Sequence, residues 1–508
     1  YFYSEYFRTM GLKASLSKQF ARAAMVELNI RSSQPASVQL KQLNDIVKTA
    51  AKTSFGKDHG LRDGMSLESF QRAVPVNDYE GLKSYLDRAV AGESDVVWPG
   101  KPLYFTKTSG TTSGTKYIPI TEESLSNQIA GARNALLAQI VATGNASFVS
   151  GKMIFLQGNP ELDKTEGGIP LGRLSGIVAH HVPKYLQRSR LPSMETNCIE
   201  DWDEKLDTIV KETADEDLRL VSGIPTWVQM YFEKLLKYTG KDTVQEVFPN
   251  LSLFVHGGCA FGPYSEKFKQ LIGFDIDRVE LYPASEGFLA FQDKPDVEGM
   301  LLNVGDGIFF EFIPMDKYLD GDRSRIMVDK VELGVQYAVI ITTNAGLFGY
   351  DLGDTVKFVS LDPLRVVVTG RTKHFTSAFG EHVIAEEVES SIEEAMEKNG
   401  GVISDFHLAP QVKPKKGKPY HEWLIEFDKK PKDLKAFSAD LNQALRDKNT
   451  YYNDLQKDGA LAPAVVTPLA SGSFINAMKS KGMLGGQNKI PRLANDRTLA
   501  DLLLKSQK

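Results

Sequence analysis

Cysteine is almost missing: Cys198 and Cys259 are the only two in 508 residues. Two thiols cannot build a disulfide framework. No Cys/His spacing of the zinc-ligand kind accompanies them, so they read as reduced thiols of a cytoplasmic protein. A basic excess is missing too. The formal net charge is −5, which argues against a nucleic-acid partner, because phosphate contacts need a basic surface. No apolar run approaches the roughly 18 residues of a membrane span, so no membrane partner is expected. The opening residues do not read as a secretory leader. The first nine residues, YFYSEYFRT, are aromatic and lack an initiator Met. They read as fragment or appended sequence outside the fold, with a helix opening at Met10.

What is present is ordinary globular material, 42% hydrophobic and 25% charged. The length suggests more than one structural unit. Apolar residues at helical spacing predict helices over 10–31 and 37–54. Short β-rich runs then alternate with helical stretches: KMIFL at 152–156, LRLVSG at 218–223, LSLFVHGG at 251–258 and RVELYPASEG at 278–287. The helix-like WVQMYFEKLLKY lies between two of them. Such alternation predicts an α/β sheet. From 300 the runs IFFEFIP, YAVIITT, TVKFVS and RVVVTG follow closely with Gly, Asp and Asn turns, the pattern of an antiparallel β subdomain over 300–370. After Gly370 helices near 385–398 and 433–448 mix with strands near 402–409, 421–427 and 463–468. The expected fold class is α/β: a large domain over 10–370 and a small, mobile α+β domain over 371–508. The basic run KPKKGK at 413–418 reads as an exposed hairpin loop.

The chemistry concentrates in four stretches. TSGTTSGTKYIPIT, Thr108 to Thr121, packs Thr108, Ser109, Gly110, Thr111, Thr112, Ser113 and Gly114 ahead of Lys116. Glycines turn backbone N–H groups inward, hydroxyls add donors and a lysine adds a point charge, so a phosphate is the expected guest. The spacing is not that of a Walker loop. Thr121, followed by Glu122 and Glu123, predicts a helix cap. YPASEG places Tyr282, Ser285 and Glu286 at the carboxyl end of a strand, where open α/β sheets bind ligands. A carboxylate there could hold Mg²⁺ against phosphates; alone, a Tyr and a Glu at a strand end are usually structural. GYDLGDTVKF puts Asp354 before a strand, either as a turn former or as an acceptor for ribose hydroxyls. GRTKHFTSAFG, starting at Gly370, carries Arg371 and the expected hinge at Arg371–His374. MKSKGMLGGQNKIPRL concentrates Lys479, Lys481, Lys489 and Arg492 around Gly485 and Gly486; such a basic tail is normally solvated, but the Gly-Gly pair followed by Lys489 and Ile490-Pro491 reads as a positioned lysine. The stretch 160–190, with Arg173, His180 and His181, is a candidate lining for an acid pocket. His180 and His181 have no carboxylate or Cys at ligand spacing.

TSGTTSGTKYIP, SGIPTW, YPASEG, GYDLGD and GGQNKIPR, in that order, resemble the auxin-responsive acyl acid–amido synthetases (the Gretchen Hagen family), as a bacterial-type member. That family sits within the adenylate-forming superfamily of acyl-CoA ligases and luciferases. The resemblance covers residues from about 40 to 495. It departs at Asp351, where the plant enzymes carry Arg, and at His374, where the superfamily often carries Asp. It implies two half-reactions. A carboxylic acid attacks the α-phosphate of ATP-Mg to give acyl-AMP and pyrophosphate, and an amine, an amino acid, then displaces AMP. The implied roles are nucleotide binding for Thr108–Gly114, Tyr282, Ser285, Glu286, Asp354 and Arg371, metal binding for Glu286, and catalysis for Lys489 and Lys116. A CoA ligase using the same adenylate chemistry, and a non-catalytic nucleotide or acyl-acid binding protein, remain the alternatives.

Overall fold

The computed structural model describes residues 2–109, 115–182, 184–258, 260–372, 376, 378–379, 381, 383–481 and 490–506. The chain divides into two compact units, Tyr1–Gly258 with Ile276–Val367, and Cys259–Asp275 with Val368–Lys508.

The strands up to the end of the first unit, in chain order, are β1 (Tyr104–Ser109), β2 (Thr115–Ile120), β3 (Lys152–Phe155), β4 (Asp163–Lys164), β5 (Pro170–Gly172), β6 (Arg190–Leu191), β7 (Leu218–Ser222), β8 (Leu253–Gly257), β9 (Asp277–Ala284), β10 (Gly287–Phe291), β11 (Met300–Leu302), β12 (Ile308–Pro314), β13 (Gln336–Thr343), β14 (Tyr350–Leu361) and β15 (Leu364–Arg371), whose last four residues, from Val368, already belong to the second unit. Eleven of them make one sheet, ordered β12-β13-β14-β15-β11-β10-β9-β8-β7-β3-β6, and a smaller sheet runs β2-β1-β5-β4. Strands β6, β3, β7, β8 and β9 are parallel. From β9 onward the pairings with β10, β11 and β15 are antiparallel. The antiparallel strands expected over 300–370 therefore continue the same sheet. The two halves meet at β9, whose carboxyl end carries the SEG turn.

Alternation explains which face is covered. Leu253 and Val255 of β8 and Val279 and Leu281 of β9 point one way, into a core shared with Ala21, Met25 and Leu28 of helix Phe2–Ser33 and with Ala135, Ala138 and Ile140 of helix Glu122–Thr143. The first helix begins at Phe2, so residues 2–9, read as lying outside the fold, continue it. Helix Glu122–Thr143 reaches the sheet through Gly131. A Cβ there would stand 2.3 Å from Cδ1 of Phe288 in β10, so only glycine permits this approach.

On the antiparallel half, a buried ion pair, Arg325 to Glu311 at 3.0 Å, anchors the chain before Asn77. Arg325 also donates to the carbonyl oxygens of Gln71 and Val74. Asn77 then docks on β14, its N–H donating to Gly349 O at 2.8 Å and its carbonyl accepting from Asp351 N at 2.7 Å.

The second unit has β16 (Val402–Gln411), β17 (Tyr420–Lys429) and β18 (Val465–Leu469) in that order. KPKKGK lies in the β16–β17 connection, between antiparallel strands. Helices Ala385–Asn399 and Leu434–Lys448 bury Val388, Ile392, Phe437 and Leu441 with Phe406, Trp423 and Ile425 of the sheet. Glu381, fully buried, accepts from Phe379 N at 2.8 Å and lies 2.8 Å from His421 Nε2. Arg492, read from the sequence as one of a set of positive charges, is instead a buried anchor. It donates to Asp405 and to Tyr264 Oη and stacks 4.6 Å from the Phe406 ring centroid.

Candidate functional site

The Ser/Thr/Gly run joins the two arms of a hairpin. Thr108 of β1 stands opposite Lys116 of β2, and Ser109 opposite Thr115. Gly110, Thr111, Thr112, Ser113 and Gly114 lie outside the described residues. The chain leaves β2 through Thr121, which caps helix Glu122–Thr143 in a reciprocal bond pair with Ser124. Thr121 Oγ1 also donates to Asn344 O at 2.9 Å. One turn on, Gln128 Nε2 donates to Ala284 O at 2.8 Å. The helix that follows β2 is thus bonded to the YPASEG strand end.

Ser285 and Glu286 form the two-residue turn between β9 and β10, where Ala284 pairs with Gly287. Both are half-buried. Tyr350, at the start of β14, is 1% exposed. Burial pushes its phenol far up, and the charges of Glu286 and Asp351 add to that, with Tyr79 and Asp78 contributing less. Tyr79 in turn holds Lys116. Its ring centroid is 5.7 Å from Lys116 Nζ, and its hydroxyl accepts from Tyr117 N at 3.0 Å. Glu286, Tyr350, Tyr79 and Lys116 therefore share one neighbourhood.

Tyr282 and Asp354 are brought into direct contact. Tyr282 Oη donates to Asp354 Oδ2 at 2.8 Å, across the sheet from β9 to β14. Asp351 is occupied differently. It accepts from Tyr318 Oη at 2.5 Å and from Gly353 N at 2.9 Å, in a strand kink where Gly353 takes φ +81°. Arg371 closes β15, is exposed and belongs to the second unit. Lys489 and His374 lie outside the described residues. His180 and His181 are separately engaged, with Pro160 O at 2.9 Å and Tyr104 Oη at 3.0 Å.

Three family models match: the GH3 family N-terminal domain over residues 25–197, the central domain over 301–371 and the C-terminal domain over 386–498. The chain belongs to the GH3 family. Among curated GH3 proteins, jasmonoyl–L-amino acid synthetase GH3.5 of Oryza sativa subsp. japonica is 22% identical, over 92% of this chain and 94% of that protein. The 4-substituted benzoates-glutamate ligase GH3.12 of Arabidopsis thaliana is 24% identical with the same coverage. Among solved structures, the GH3.15 acyl acid amido synthetase in complex with 2,4-DB superposes with a TM-score of 0.79 at 15% identity over 96% of each chain. A 2-hydroxyisobutyryl-CoA ligase in its postadenylation state superposes with a TM-score of 0.58 at 14% identity over 94% of each. These likenesses establish the mixed α/β fold with a separate C-terminal domain.

Among the described residues of this GH3 chain, no three His, Cys, Asp or Glu gather as a metal cage, and no helix is long and apolar enough to cross a membrane. Sequence reading missed Tyr79, Tyr350 and Gln128. Tyr350 stood inside a quoted motif but carried no signal of its own. Tyr79 follows the helix cap Asp78, which is a structural pattern.

Two residues earlier on β9, Glu280 pairs in register with His256 of β8. Burial pushes the Glu280 carboxyl up to about 7, against a smaller pull from Arg278, and burial pushes His256 down to about 3. The signs oppose. Between about pH 4.5 and 6.5 the folded chain holds a Glu280 proton that the unfolded chain has released, so this group loses stability as pH rises. Over the same range His256 is neutral when folded and charged when unfolded, so that group gains stability as pH rises. The two slopes cancel. In Glu280→Gln only the histidine term remains, and stability should rise with pH across this window by at most about 1.4 kcal/mol per pH unit. Urea titrations at several pH values read it directly; an unchanged pH profile would contradict the assignment.

Proposed function

We propose that the protein is an ATP-dependent acyl acid amido synthetase, a ligase that forms a C–N bond through an acyl-adenylate. The observation that carries this reading is the Tyr282–Asp354 bond beside the Glu286 turn, at the carboxyl edge of a sheet in a chain matched by all three GH3 domains. In the first step a carboxylate oxygen of the acid attacks the α-phosphorus, and the bond to pyrophosphate breaks. In the second an amino-acid nitrogen attacks the acyl carbon, the bond to AMP breaks and the amine loses a proton.

Such chemistry asks mainly for positioning and charge neutralisation. Thr108, Ser109, Gly110–Gly114 and Lys116 receive the triphosphate. Asp354 accepts from the ribose hydroxyls, fixed in orientation by Tyr282, which lies against the adenine; Ser285 and Arg371 complete the nucleotide contacts. Glu286 is the residue that would hold Mg²⁺. One half-buried carboxylate in a strand-end turn fits that ion, which keeps waters and substrate phosphates as its other ligands; when bound it supplies charge neutralisation to the triphosphate. Residues 10–370 form the adenylating domain. Residues 371–508 form the small mobile domain carrying Lys489 to the α-phosphate, turning on a hinge at 371–374. Support for that hinge comes from Thr376, Phe379 and Glu381, which are bonded within the second unit itself. The cytoplasm is the proposed location.

The test is pyrophosphate release screened against a panel of carboxylic acids, each with amino acids, with CoA and with neither, and products identified by mass spectrometry. An amide as the dominant product is the expected result. A thioester at equal acceptor concentration would replace this reading by that of a CoA ligase.

A further inference from the structure

The carboxyl end of β3 collects positive charge that the scheme above leaves unused. Gln157 and Gly158, just past β3, are its hub. Arg190, the first residue of β6, donates from Nη2 to Gln157 Oε1 at 2.6 Å, and its guanidinium lies 5.1 Å from the Phe155 ring centroid. Lys205 donates from Nζ to Gln157 O at 3.1 Å and to Asn197 O at 2.6 Å. Arg173 passes so close over Gly158 that a Cβ there would stand 2.9 Å from its Cδ.

Three cations thus meet at two residues, and among the described residues none of them makes an ion pair. A buried cation without a counter-charge is costly. Burial alone lowers Lys205 to about 8 and Arg190 to about 10. A donor is left over as well. Gln157 is 6% exposed, its Oε1 is taken by Arg190, and its Nε2 has no partner. Trp202 Nε1, one turn before Lys205 on the same helix, is also buried without a partner. Arg173 and Arg190 are only half-buried, so a solute can reach them, with Lys205 behind.

The site lies on the ligand-binding edge. Strands β3, β7, β8 and β9 are parallel and adjacent, so Gln157 and Glu286 follow strand ends on the same side of the sheet. Three strand spacings separate them, roughly 14 Å. That is too far for one ion to touch both.

We propose that Gln157, Arg173, Arg190 and Lys205 form a carboxylate-binding site, holding a substrate carboxylate other than the one adenylated. The source is either the α-carboxylate of the amino acid or a second carboxylate on the acyl acid. Which substrate supplies it rests on the amido synthetase reading; the existence of the site does not. Guanidinium groups match a carboxylate in a two-pronged fashion that an ammonium cannot.

Equilibrium titrations of the full chain with acetate, succinate, L-alanine, L-alaninamide and ATP test it. The wild type should bind acetate and succinate but not L-alaninamide. Arg190→Gln should weaken carboxylate binding at least tenfold, leave ATP binding unchanged without lowering the melting temperature of the free protein, and be partly restored in Arg190→Lys. Arg173→Gln, on the other side of the hub, should act in the same direction. L-alanine binding that is lost in the variants assigns the amino acid's α-carboxylate; succinate held much more tightly than acetate assigns a second carboxylate on the acid. No carboxylate binding by the wild type, unchanged affinity in both variants, or an equal loss of ATP affinity would each overturn the proposal. Failure of the amido synthetase reading is seen separately, as no acid-dependent pyrophosphate release while carboxylate binding persists.

Discussion

Glu286→Gln should lower acid-dependent pyrophosphate release by about 10²–10³, the loss seen when one preorganised charge-stabilising group is removed from a transition state. The substitution keeps the shape of the two-residue turn between β9 and β10 and removes only the charge. Stability should hardly fall. The charge of Glu286 is felt at Tyr350, whose phenol is already pushed up by burial and further by Glu286 and Asp351. Removing one negative charge from that neighbourhood leaves the buried hydroxyl neutral, and Gln128 still holds Ala284 O at the end of β9. The expected signature is therefore a catalytic loss without a melting-temperature loss, together with a higher Mg²⁺ concentration for half-maximal rate. A large drop in melting temperature with normal activity in the folded fraction would make Glu286 a structural residue and remove it from the site.

Much of the fold was legible because the periodicities were clean. WVQMYFEKLLKY became helix Pro225–Thr239, and the β-rich runs from KMIFL to RVVVTG became β3, β7, β8, β9 and β12 to β15. Thr121 was readable as a cap because hydroxyl, acidic first turn and apolar run follow one another, and it is one. Sheet continuity was not legible. Nothing local in IFFEFIP or YAVIITT says that these strands extend the parallel half through β10, β11 and β15, because strand order is a long-range property. Arg492 escaped for a similar reason. Its neighbours Lys479, Lys481 and Lys489 suggested a charged surface, while its own partners, Asp405 and Tyr264, are distant in sequence. The cations at β3 were equally hidden, since Arg173, Arg190 and Lys205 meet only when Gln157 and Gly158 are placed between them.

Asp354→Ala should raise the KM for ATP by about ten- to a hundredfold, and a cycle with Tyr282 should show that the two residues act as a unit. A carboxylate accepting from ribose hydroxyls makes charged hydrogen bonds worth about 1.5–3 kcal/mol each. The structure adds the orienting partner: Tyr282 Oη reaches Asp354 Oδ2 at 2.8 Å. Tyr282→Phe removes only that bond. It keeps the ring, so it should cost ATP binding less than Asp354→Ala does, on the order of 1 kcal/mol. In the double variant the tyrosine hydroxyl has nothing left to orient, so its effect should vanish, and the cycle should close with a coupling energy close to the single-variant cost of Tyr282→Phe. Asp354→Asn separates charge from shape, because an amide can still accept from one hydroxyl. It should fall between wild type and Asp354→Ala in KM. The turn-former reading predicts the opposite pattern: a lower melting temperature for every Asp354 variant, unchanged nucleotide affinity in the folded fraction, and additive effects with Tyr282→Phe. Calorimetric ATP titrations on the four proteins of the cycle, beside their unfolding curves, decide between the two.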